Sequence, residues 1–175
     1  MTKKTTIAVL LVGFIAVSIQ HIAFGQANKE TAQLANALSS AKISLQSGIA
    51  ASEREGRPIS AKFEVEGGKL QLSVYTRRGD KFSEVIIDHQ TGRIAKTEPI
   101  TEGEDLTHAK AQKAAMDRAK IKLADAAAKA KGQAKGEAAD VLVVSVVPEL
   151  KNDRPEAEIV LLQGKKFSTA SERLD

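Results

Sequence analysis

The chain repeats one short plan. Ala41-Lys42-Ile43-Ser44-Leu45 returns further along as Ala119-Lys120-Ile121-Lys122-Leu123. Gly79-Asp80-Lys81-Phe82-Ser83 returns, in the same order, as Gly164-Lys165-Lys166-Phe167-Ser168. In both copies a helical stretch precedes a set of strands. An internal repeat constrains a fold more than composition does, because each copy has to adopt much the same conformation.

Each copy reads helix first. Leu34, Leu38, Ala41, Leu45 and Ile49 form one apolar stripe at helical spacing. The helix can start near Lys29 and break at Ser39-Ser40, with Ser44 as a fresh N-cap, and Gly56 and Pro58 mark its end. Ile59, Ala61, Phe63 and Val65 then alternate with polar residues, Gly67-Gly68 turns the chain, and Leu70, Leu72 and Val74 continue the alternation as a hairpin. A third strand runs from Phe82 to Ile87. Phe82 and Val85 lie three apart, a parity conflict that predicts a bulge or twist. Asp88-His89-Gln90-Thr91-Gly92 makes a turn, and Ile94 opens a short fourth strand. In the second copy a single helix is expected from about Leu106 to Lys131, followed by strands at Val141–Val147, Ile159–Leu162 and Phe167 onward. Val141–Val147 is apolar on both faces, which suits a strand covered on both sides.

The expected fold class is therefore α+β: two similar modules, each a helix packed on a small antiparallel sheet of three or four strands. The expected divisions are a signal peptide over 1–25, a first module with its N-terminal helix over 26–99, a linker over 100–105 and a divergent second module over 106–175. Modules this small have marginal cores. The two are therefore expected to cover each other, with the second face of Val141–Val147 meeting the first module, a long helix or another subunit.

Lys3 and Lys4 precede an apolar run from Ile7 to Ile19, and small residues follow at Ala23 and Gly25. This is the layout of a secretory signal cut near Gly25 or Ala27. The run falls short of the roughly 20 residues that a membrane span needs. The expected location is periplasmic or secreted. The chain has no cysteine, so no disulfide or thiol chemistry is open to it. It has no tryptophan and little other aromatic content, which argues against stacking on bases or sugars.

Charge is unevenly spread. From Leu106 to Gly136 there are eight Lys and Arg against two Asp. Lys110, Lys113 and Lys120 are candidates for weak contact with a membrane surface or an anionic polymer. A nucleic-acid partner is not expected, because the mature chain is near neutral and lacks interleaved aromatics. His89 and His108 stand outside any zinc-binding spacing, and no nucleophile elbow or phosphate loop occurs. No catalytic, metal-binding or cofactor-binding residue is expected, and no cofactor. Arg78-Gly79-Asp80 reads as a hairpin turn rather than an adhesion signal.

The order helix, hairpin, third strand and Asp-x-x-Thr-Gly resembles the PepSY domain, best over Ile43–Thr97. Asp88, Thr91 and Gly92 occupy the family's characteristic turn, after the apolar strand Val85-Ile86-Ile87. Over Ile121–Asp175 the match is weaker, and the chain ends at Leu174-Asp175 before any Thr-Gly. The resemblance implies a helix packed on an antiparallel sheet. It also implies a non-enzymatic exported role in binding a protein or peptide, with restraint of a secreted peptidase as the specific case. The Asp88–Gly92 turn would be structural or face the partner. A sheet edge, at Lys69–Tyr75 or Phe82–Ile87, would receive an extended peptide. The alternative is a structural envelope protein that self-associates through the second sheet; the oligomeric state is expected to be monomer or dimer.

Overall fold

A computed structural model describes residues 24–134 and 140–175. The signal segment lies almost wholly outside the described residues. The elements run α1 (Phe24–Leu38), α2 (Leu45–Ser52), β1 (Arg57–Glu66), β2 (Lys69–Arg78), β3 (Lys81–Ile87), β4 (Ile94–Ile100), α3 (Gly103–Arg118), α4 (Leu123–Gln133), β5 (Val141–Lys151), β6 (Arg154–Gln163) and β7 (Lys166–Arg173).

The expectation of two modules, each with its own sheet, is overturned. All the strands join one seven-stranded sheet in the order β4-β3-β2-β1-β5-β6-β7, and every pairing is antiparallel. The reason lies in β1 and β5. Each is the first strand of its meander, and each would expose a row of unpaired backbone groups if left at an edge. They pair with each other instead, Ala61 opposite Val146 and Lys62 opposite Ser145. The buried apolar residues of all the helices and the sheet form one core.

Within that single fold the repeat persists as chain order. α2 and α4 both open on the leucine that closes the repeated motif, Leu45 and Leu123. β3 and β7 both open on the lysine of the repeated glycine turn, Lys81 and Lys166. One contact also recurs. Lys42 and Ile43 donate their backbone N–H groups to the His89 carbonyl at 2.9 and 3.3 Å. Lys120 and Ile121 donate theirs to the Leu174 carbonyl at 2.6 and 3.0 Å.

Strand register sorts the two faces. Val74, Ala61, Val146 and Ile159 form one cross-strand row, all buried. Leu72 shares their face and lies beneath Gly48 of α2. Glu172, opposite Ala157, is on the same face and meets Lys129 of α4 at 2.5 Å. Hence α2 and α4 cover this side. Ser60, Tyr75 and Glu84 form a row on the other side, and α3 lies over it. Its Gln112 accepts from the Ser60 hydroxyl at 2.8 Å, and its Asp105 accepts from the Tyr75 hydroxyl at 2.9 Å. Arg57, at the head of β1, donates to the Met116 carbonyl at 2.8 Å.

Other local expectations change as well. The basic stretch is two helices rather than one from Leu106 to Lys131, broken at Ala119–Lys122 where Leu174 captures the Lys120 and Ile121 N–H groups. The first helical stretch, by contrast, breaks at Ser39-Ser40 as expected, and Ser44 caps α2 by accepting from the Ser47 N–H at 3.1 Å. β3 pairs with β2 without a shift. Phe82 is buried because it faces α3 while Val85 and Ile87 face the other way. Cover on two sides, not a bulge in that pairing, resolves the parity conflict. Residues 100–105 comprise the last residue of β4, Thr101, a bend at Glu102 and the opening turn of α3. β5 gains its second cover from α3.

Candidate functional site: the free edge of the sheet

The Asp88–Gly92 turn is tied inward. Asp88 Oδ1 accepts from the Gln90 and Thr91 N–H groups, each at 2.8 Å, and the Gly92 N–H closes the turn on the Asp88 carbonyl. These bonds favour the anion and hold the Asp88 carboxyl below its usual range. Gly92 sits at φ 73°, where a side chain is disfavoured, and faces Ile43. The Gln90 side chain donates to the Ser40 carbonyl at 3.0 Å. Together with the His89 carbonyl, the turn fastens the α1–α2 junction to the β3–β4 hairpin.

The three lysines do not form one patch. Lys110 and Lys113 border an open hollow with Asp80, Phe82, Ala114 and Asp117. Lys113 is engaged there, 2.8 Å from Asp117 and 3.7 Å from Asp80. Its hydrogen bond, with Arg77 nearby, keeps the Asp117 carboxyl below the usual range. Lys120 borders a different hollow of about 110 Å³, between α2 and the α3–α4 junction, floored by Ile49, Met116 and Leu123.

Beside the start of α3 the sheet carries a row of ionisable groups, on the face that the alternation along β1 marks as polar. Lys62 and Glu64 pair at 2.6 Å, both about four-fifths buried. Burial raises the Glu84 carboxyl above its ordinary range, Ser73 opposes that by hydrogen bonding, and Glu64 adds repulsion. Tyr75 is 4% exposed and its phenol is pushed well up, first by burial and then by Asp105. Among the described residues, no group of His, Asp and Glu is placed to hold a metal ion.

The sheet ends at β4 and β7, which corrects the expected edges. Lys69–Tyr75 lies in β2 and Phe82–Ile87 in β3, and both strands are paired on both sides. The two real edges differ. β4 carries Lys96, Glu98 and Pro99, and its pairing with β3 shifts register at Ile86/Ile87. Charge, proline and irregularity all discourage another strand. β7 has none of these through its middle. It pairs with β6 in unbroken register from Glu156↔Arg173 to Gln163↔Lys166. Phe167-Ser168-Thr169-Ala170-Ser171 is uncharged, with Ser168, Thr169 and Ser171 exposed. Among the described residues, β7 has a strand on one side only. Its free N–H and C=O groups form a template for an extended chain. Strand order depends on the β1–β5 pairing, so sequence reading missed this edge. The available signal was the uncharged run itself.

No protein-family model, curated protein or solved structure matches the chain. Among the described residues, no helix is long and apolar enough to cross a membrane.

Proposed function

We propose that this is an exported, non-catalytic binding protein of PepSY type that captures an extended segment of a partner protein along β7. The observation that carries this reading is the contrast between the guarded β4 edge and the unguarded β7 edge. Main-chain hydrogen bonds would supply affinity, and alternate side chains of the incoming strand would supply selectivity. The resemblance over Ile43–Thr97 points to a secreted peptidase as the partner. The inward-tied Asp88–Gly92 turn supports a structural place for that motif, which leaves binding to the edge.

The test is capture of a displayed library of extended ten-residue peptides. Successive strand residues direct their N–H groups to opposite sides, so one of Ser168 and Thr169 bonds β6 and the other points outward. Of Ser168→Pro and Thr169→Pro, the variant that keeps the wild-type melting temperature removes only an outward donor. That variant is expected to lose peptide capture, whereas Ala95→Pro on β4 retains it. Equal capture by all three proteins would refute the reading.

A further inference from the structure

The β7 sequence is also complementary to itself. Resting on the reading of β7 as the binding edge, we propose that a second copy of this chain is an occupant. The two β7 strands pair antiparallel about a twofold axis through Thr169. In an antiparallel pair, opposed residues lie on the same face, so only registers that oppose residues of equal parity keep both sheets aligned. Ser168, Thr169 and Ala170 are the central positions on which such a pairing can turn. About Ser168, Lys166 meets Ala170; about Ala170, Lys166 meets Leu174. About Thr169, Lys166 of each copy lies opposite Glu172 of the other, so the lysine at each end of the seam approaches a carboxylate that is 5% exposed and already paired with Lys129.

The interior of that register is compatible with close approach. Ser168 stands opposite Ala170, and Phe167 opposite Ser171, with no charge between. The carboxyl of Glu172 lies beside Lys129 on the face covered by α4, and Lys166 shares that face by parity. Just beyond the strand, Lys165 meets Arg173. Arg173 is already engaged by Asp175 at 2.9 Å, which offsets that repulsion. The arrangement is isologous, so it closes at two copies and leaves the β4 edges outermost.

The absence of native cysteine makes the register directly measurable. Thr169→Cys places its thiol opposite its own symmetry mate, with Cα atoms about 4.5–5.5 Å apart, within disulfide reach. Ser171→Cys lies four positions from its mate, about 13 Å along the strand, and cannot bridge. All the substituted side chains are exposed, and circular dichroism checks folding. The expected results are a dimer mass by light scattering that falls on dilution, a covalent dimer of Thr169→Cys under mild oxidation, and none from Ser171→Cys. Lys166→Glu is expected to weaken dimerisation roughly tenfold. A wild-type mass that stays monomeric at high concentration, or equal cross-linking of both cysteine variants, overturns the proposal. If the wild type is monomeric yet still captures peptides along β7, the pairing of copies falls and the binding edge stands. If peptide capture also ignores β7, both fall.

Discussion

At Glu84, burial and charge oppose each other most directly. Its carboxyl is raised because burial penalises the anion, and Glu64 adds to that. The folded state therefore favours the neutral acid. The resulting stability is present below the unfolded carboxyl pKa and is lost as pH rises through the raised folded value. Glu84→Gln is expected to raise the melting temperature at pH 7, with the gain vanishing near pH 4; melts across that range check it. Asp88 has the opposite sign. Backbone N–H groups lower its pKa, so its contribution is present above the usual carboxylate range and is lost as pH falls through the lowered value. Asp88→Ala is expected to lower the neutral-pH melting temperature and reduce its acid dependence. Asp88 was legible in sequence because its partners are its own neighbours. Glu84 was not, because its burial comes from residues brought together by the sheet and α3.

The same division between local and distant causes operates on elements. The α1–α2 break was legible because Ser39, Ser40 and Ser44 mark it in place. The α3–α4 break was not. Ala119-Lys120-Ile121-Lys122 contains good helix formers, and Lys122 makes no side-chain cap. The distant Leu174 carbonyl ends the helix there, a tertiary contact overriding local preference. Gly48 sets how closely α2 approaches β2, since a Cβ there would run into the buried Leu72 side chain. Gly48→Ala gains helix propensity but overpacks that contact. The expected net loss is about 1–2 kcal/mol, measurable by denaturant unfolding. The strands themselves were readable from alternation. Their lateral order was not, because an alternating pattern specifies faces but names no neighbour.

Across the whole molecule, the two meanders meet along a short seam, Ala61↔Val146 and Lys62↔Ser145, with α3 bonded to Arg57, Ser60 and Tyr75 on one side of it and packed on β5 and β6 on the other. The shared core predicts one cooperative transition. Tyr75 is the sole tyrosine, and no tryptophan obscures it, so its fluorescence reports from the first meander alone. Val146→Ala in the second meander is expected to cost about 1–3 kcal/mol and to move the Tyr75 transition by the full amount. A Tyr75 melt insensitive to that change would mean that the halves unfold independently. The repeat announced similar halves but not their fusion, because pairing of β1 with β5 depends on two edges meeting in space. The clasp at Leu174 also sets an order of events. In a chain made from its N-terminus, the first junction can close as soon as His89 is available. The second waits for Leu174, so the α3–α4 junction is fastened only after β5, β6 and β7 have been made.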